Sequence, residues 1–157
     1  MSHTRQTPLR LGILGCANIA RQFARDVAPS PLVQITAVGS RDAAKATAFA
    51  AQFGIARTFG SYEALLADDA LDAVYIPLPN SLHAEWAIAA ARAGKHVLCE
   101  KPLALDADQA RAMFAAARAH GVALLEGFPY WFQPQTGDLV RLLHTERAIG
   151  EVRWVQA

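Results

Sequence analysis

Hydrophobic positions fall into two alternating rhythms: short unbroken apolar runs, and longer stretches in which apolar residues return every three or four positions. Leu9 to Leu14 is a run of the first kind and predicts a strand. Ile19, Ala20, Phe23, Ala24 and Val27 then share one helical face, opposite Arg21, Gln22, Arg25 and Asp26, until Pro29 and Pro31 end the helix. Residues 33–38 predict a second strand, after which Asp42 caps a helix that runs to about Phe53 and stops at Gly54. Residues 57–59 predict a short third strand, followed by a helical turn capped by Ser61. Residues 73–76 predict a fourth strand, and the turn Pro77-Leu-Pro-Asn80 leads into a helix capped by Asn80 or Ser81 and closed by Gly94. Residues 96–99 predict a fifth strand. Asp106 with Gln109 reads as a capping box for a helix bearing Ala110, Met113, Phe114 and Ala117, which His120-Gly121 ends. Residues 122–125 predict a sixth strand and 136–145 a last helix. Residues 152–155 read as the opening strand of something beyond.

Strands that are nearly all apolar and alternate with helices imply a parallel sheet covered on both faces. Right-handed crossovers make this an α/β, doubly wound, three-layer αβα fold. At 157 residues and 53% hydrophobic, the chain has room for one such unit with a sizeable core. Fifteen basic against fourteen acidic side chains give a net charge of +1, so no global field draws nucleic acid or an anionic membrane. No apolar stretch reaches the roughly 18–20 residues of a bilayer span, and the polar start lacks a signal-peptide core, so a soluble cytoplasmic protein is expected. Cys16 and Cys99, the two cysteines, read as reduced packing residues, and no spacing suggests a metal site.

The chemistry gathers where strands end. Gly15-Cys16-Ala17-Asn18-Ile19-Ala20 follows the first strand and opens a helix, the context in which free N–H groups and the helix dipole favour a pyrophosphate. Gly15 fits the tight turn, Ala17 stands where the backbone approaches the phosphate, and Ala20 fits close helix packing. A site for NAD usually has an acidic residue at the end of the second strand; here the exit is Gly39-Ser40-Arg41. Arg41, with Ser40 and with Lys45 one turn later, suits a 2′-phosphate, whereas Asp42 is better explained as a helix cap. The lesser alternative is a solvated Arg-Asp-Lys helix start. After the later strands come Pro77, Leu78, Asn80 and His83, then Glu100-Lys101-Pro102, then Glu126. A lysine beside a glutamate at a strand end can hold an ammonium over a reacting oxygen, or the two can form a surface ion pair. Pro102 restricts that turn and is compatible with a cis 101–102 bond. His83 suits a hydrogen-bonding role at a helix start better than a catalytic one. A phosphate-loop NTPase is excluded by the missing G-x-x-x-x-G-K-S/T, and a methyltransferase is disfavoured because Ser40-Arg41 replaces its usual acidic residue.

Gly12-Ile-Leu-Gly15, Ser40-Arg41, Tyr75-Ile-Pro-Leu-Pro-Asn-Ser-Leu-His83, Ala93-Gly-Lys-His-Val-Leu-Cys-Glu-Lys-Pro102 and Glu126-Gly-Phe128 together resemble the nucleotide-binding half of the glucose–fructose oxidoreductase, inositol dehydrogenase and rhizopine catabolism family, Gfo/Idh/MocA. Ser-Arg after the second strand is similar to the branch that includes D-xylose dehydrogenase and dihydrodiol dehydrogenase. The resemblance implies a Rossmann NAD(P)-binding domain over residues 1–148, with 149–157 the start of a missing substrate and oligomerisation domain. It implies an NADP-dependent oxidoreductase, with NAD the lesser choice, moving hydride to or from a sugar, polyol or cyclic diol. The cofactor would lie on Gly15, Cys16, Ala17, Asn18, Ile19, Ser40, Arg41, Lys45, Pro77, Leu78, Asn80, His83, Glu100 and Lys101, with Lys101 catalytic. The full-length protein is expected to be a homo-oligomer, and this chain alone not fully competent. The alternative is a non-catalytic NADP-binding or interaction module. Three departures stand out: Ala17 replaces a glycine, Pro129 and Trp131 stand where relatives often have Met and Arg, and Gln133 where they often have His.

Overall fold

Successive residues of a strand point to opposite faces, and here both faces are apolar because both are covered. In β1 (Leu9–Leu14), Leu11 and Ile13 join one buried cluster and Leu14 the other; in β4 (Ala73–Ile76), Ala73 and Tyr75 divide from Val74 and Ile76 in the same way. The first cluster is closed by Ala20 and Ala24 of α1 (Asn18–Val27) and by Phe49 and Ala50 of α2 (Ala43–Phe53). The second is closed by Leu65 of α3 (Tyr62–Leu66), Ala87 and Ala90 of α4 (His83–Arg92), and Met113 and Ala117 of α5 (Ala107–Ala119). Between these layers lie β2 (Val33–Gly39), β3 (Arg57–Phe59), β5 (His96–Glu100) and β6 (Leu124–Gly127). The computed structural model describes residues 7–156 and shows six strands in the order β3-β2-β1-β4-β5-β6, every recorded pairing parallel. This is the doubly wound Rossmann fold.

Most boundaries agree with the hydrophobic pattern, and the exceptions have local causes. Asp42 accepts from the N–H groups of Ala44 and Lys45, and Gly54 closes α2 at φ +66°. At α4 neither Asn80 nor Ser81 caps the helix; Asn80–Leu82 form a 3₁₀ turn that runs into it. Asp106 caps α5 through the Gln109 N–H, but the Gln109 side chain accepts from Leu105 rather than returning to Asp106, so the box is half formed. β6 begins two residues later than expected because the Val122 N–H is spent on Ala117 O and the Ala123 N–H on His96 Nδ1. Lys95, 6% exposed, donates from Nζ to Asp68 O at 2.9 Å and Leu71 O at 3.0 Å, tying the α3–β4 connection to the start of β5.

The chain divides into two compact units, one ending at Gly127 and one beginning at Phe128. The second holds a 3₁₀ turn at Pro129–Phe132, α6 (Pro134–Val140) and a wider turn at Arg141–Thr145. The strand expected at 152–155 is not formed. Nothing among the described residues pairs with it, and an extended segment without a ladder partner is not a strand. No helix among the described residues is long and apolar enough to cross a membrane.

Candidate functional site

A parallel sheet delivers all its carboxyl ends to one edge. The register pairs Leu14 with Gly39, Ile13 with Tyr75, Ile76 with Cys99 and Glu100 with Gly127, so the turns carrying the candidate residues leave the sheet side by side. The hollow lined by Pro8, Ala24, Val33 and Phe53 lies toward the opposite end of the strands.

The β1–α1 turn is shaped around an absent side chain. Gly15 has φ +99° and donates its N–H to Gly39 O at 2.7 Å, and a Cβ there would stand 2.9 Å from Leu78 Cδ2. Only glycine takes this conformation cheaply. Ala17, at φ −64° and ψ 163°, is ordinary extended backbone, so the alanine that departs from the glycine pattern carries no strain. Ala17, Asn18 and Ile19 are exposed and Cys16 is half-buried; burial pushes the Cys16 thiol up, partly countered by the charge of Arg21. The first turn of α1 has no side-chain cap and no acidic residue, whereas α2, α3 and α5 are each capped by Asp42, Ser61 and Asp106. The first-turn N–H groups of α1 are thus left without a side-chain acceptor, a donor set suited to an anion.

Past β2, Ser40 is 7% exposed and its Oγ accepts from the Asp42 N–H at 3.1 Å. The N–H groups of Lys45, first, and of Ala44 donate to the Asp42 carboxyl, hold it below its ordinary value and turn it into the helix. Arg41 is exposed, and its guanidinium makes no hydrogen bond or ion pair among the described residues. Lys45 stands 3.6 Å from Asp42 Oδ2 with most of its side chain in solvent, too open a pair to immobilise it.

The β4 and β5 exits are braced. Tyr75, stacked on Phe23 at 4.1 Å, donates its hydroxyl to Glu100 Oε1 at 2.7 Å, and burial followed by that carboxylate pushes the phenol up. Glu100 Oε2 accepts from the Lys101 N–H at 3.2 Å, and no carboxylate among the described residues lies within ion-pair distance of the exposed Lys101 ammonium. The surface-pair reading of Glu100-Lys101 thus finds no counterpart in the geometry. The 101–102 bond is cis. Leu103 N–H donates to Glu126 Oε1 at 2.8 Å, so the turn after β5 is held from β6 as well.

His83 is placed differently from the expectation of direct cofactor contact. It is fully buried, with Nδ1 2.9 Å from Pro102 O and Nε2 2.8 Å from Leu78 O, and it joins the β4 and β5 exits from beneath. Pro77 and Leu78 are buried, and Asn80 is exposed at the head of its 3₁₀ turn. The structure thus brings Gly15 against Leu78, Leu78 and Pro102 against His83, and Tyr75 against Glu100. Cys99 is buried, its thiol pushed up to about 12 chiefly by that burial, and takes no part. Tyr62 and Tyr75 also stand at this edge, although the hydrophobic rhythm marked them only as helix and strand residues.

Residues 9–128 match the model of the Gfo/Idh/MocA oxidoreductase family, described as an NAD-binding Rossmann fold. D-xylose 1-dehydrogenase (NADP(+)) 2 of Haloferax volcanii is 49% identical over 138 residues, 88% of this chain and 42% of that protein. The dTDP-3,4-didehydro-2,6-dideoxy-alpha-D-glucose 3-reductase of Actinomadura kijaniata is 46% identical over 147 residues, 93% of this chain and 44% of that protein. A crystal structure of KijD10, a 3-ketoreductase from Actinomadura kijaniata, in complex with NADP and TDP-benzene, superposes with a TM-score of 0.85 at 45% identity, covering 93% of this chain and 45% of that one. The chain spans less than half the length of these relatives.

Proposed function

Because this chain belongs to the Gfo/Idh/MocA oxidoreductase family, we propose that it is the NADP(H)-binding part of an enzyme that takes hydride from a carbinol carbon of a sugar, polyol or cyclic diol, or in reverse delivers it to the matching carbonyl carbon. The residues fit a phosphorylated dinucleotide. The uncapped first turn of α1 over Gly15 offers N–H donors for a pyrophosphate, and Ser40, Arg41 and Lys45 offer a hydroxyl and two cations for a 2′-phosphate. When bound, the cofactor supplies or accepts the hydride. Lys101, its backbone held through Glu100 and its turn through Glu126, keeps its ammonium free to donate to the substrate oxygen and stabilise charge there. Pro77, Leu78 and Asn80 form the neighbouring wall, and His83 keeps that wall and the Lys101 turn in register. Residues 1–148 then form the nucleotide domain and 149–157 lead toward a substrate and oligomerisation domain in a longer protein. That named relatives act on D-xylose or a dTDP-sugar supports a carbohydrate substrate.

The observation that carries the cofactor choice is the Arg41 guanidinium at the β2 exit, which has no partner among the described residues because the adjacent Asp42 carboxylate is turned into α2. Removing a charge-assisted partner worth about 1.5–3 kcal/mol makes Arg41→Ala bind NADPH roughly tenfold or more weakly and NADH almost unchanged. Titration of both cofactors into wild type and variant checks this. Equal losses, or tighter binding of NADH by the wild type, would overturn it.

A further inference from the structure

Tyr62 is 5% exposed, its ring set edge-on against Trp86 with centroids 4.9 Å apart and planes at 79°. That packing accounts for the ring and leaves the hydroxyl unexplained. A phenylalanine would fill the same space, and buried tyrosine hydroxyls ordinarily find a partner, as Tyr75 finds Glu100. The Tyr62 hydroxyl makes no hydrogen bond to protein among the described residues, yet none of the described buried polar side-chain atoms is cut off from both solvent and partners. The ring is therefore enclosed while the hydroxyl keeps an opening. It lies 3.5 Å from the point where a Cβ on Gly15 would stand, so the notch left by that missing side chain is bounded by this hydroxyl and by Leu78.

Backbone donors also gather at this turn. The Gly15 N–H is already committed to Gly39 O, and the first-turn amides of α1 have no cap. A phenol that donates into the same place adds one more donor to an anion site, and the phosphate pair held over a glycine turn is the anion that would meet it. We propose that Tyr62 is a ligand of the dinucleotide's pyrophosphate, donating its hydroxyl to a phosphate oxygen directly or through one water. This rests on the cofactor-binding reading above and adds a residue to it from α3, an element that carries no other ligand in that reading.

The test is Tyr62→Phe in the full chain, titrated with NADPH, with NADH, and with 2′-AMP, which carries the 2′-phosphate but no pyrophosphate. Loss of a hydrogen bond to a charged group weakens NADPH and NADH by the same factor, about tenfold, and leaves 2′-AMP unchanged. Arg41→Ala gives the complementary pattern, in which NADPH and 2′-AMP weaken and NADH does not. If wild type binds both dinucleotides and Tyr62→Phe binds them equally well, the proposal is wrong. A parallel loss of 2′-AMP, or a lowered melting temperature with the loss, would also overturn it by assigning the hydroxyl to the fold. Failure of the wild type to bind either dinucleotide would instead overturn the cofactor-binding reading on which the proposal stands.

Discussion

Lys101 follows Glu100 in the chain, yet the carboxylate serves the Tyr75 hydroxyl and the Lys101 backbone rather than the ammonium. A lysine with its backbone fixed and its charge unpaired is prepared to meet a substrate oxygen, and its removal should act on the chemical step. Lys101→Met in the protein as its gene encodes it should lower kcat by roughly 100-fold while cofactor affinity shifts far less. Steady-state kinetics with a separate cofactor titration checks this, and a kcat within threefold of wild type would return Lys101 to the surface. At this scale, legibility depended on whether a role is written locally. Asp42 could be read as a cap because the amides it serves are two and three residues away. Tyr62 could not, since its value rests on Gly15 and Leu78, 47 and 16 residues distant, and sequence showed only an aromatic residue after a cap. His83 suits a hydrogen-bonding role from its place at a helix start, but its burial between Pro102 O and Leu78 O follows from packing that no local pattern reveals.

The elements were legible wherever one rhythm decided them. β1, β3 and β4 begin and end where the apolar runs predict. β6 shifted where amides were claimed by α5 and by a histidine ring, and the segment at 152–155 failed as a strand for want of a partner. Strand alignment also has an electrostatic anchor. Asp72, just before β4, accepts from the Arg10 N–H at 2.8 Å and from Nε at 2.9 Å, while its own N–H donates to Arg10 O at 2.9 Å. The Arg10 side chain, followed by its amide, holds the Asp72 carboxyl down to about 2 from an ordinary 3.8. A carboxyl depressed on folding contributes stability above its unfolded value and loses it as pH falls through the folded one. Asp72→Asn should therefore lower the urea midpoint at neutral pH, with the difference from wild type closing between about pH 4 and pH 2. A difference that stays constant over that range would assign the effect to packing instead.

The molecule as a whole offers one well-built edge. In the proposed reading its donors for cofactor come from several strand exits, while the wall that would orient a substrate belongs to sequence that the relatives carry and this chain does not span. Holding two reacting carbons at near-contact distance is worth several kcal/mol, which an open half-site does not supply. Residues 1–157 should bind NADPH and show no measurable oxidation of sugars or diols in a coupled absorbance assay, and robust turnover would locate the entire active site here. The enclosed amine of Lys95 has a consequence for how this protein meets electrophiles. Of its three lysines, Lys45 and Lys101 are exposed past strand exits, whereas Lys95 spends its ammonium on two carbonyl oxygens away from solvent. Among the lysines, acylation or reductive methylation of the native protein is thereby confined to Lys45 and Lys101, and a label on Lys95 is a record of the fold having opened.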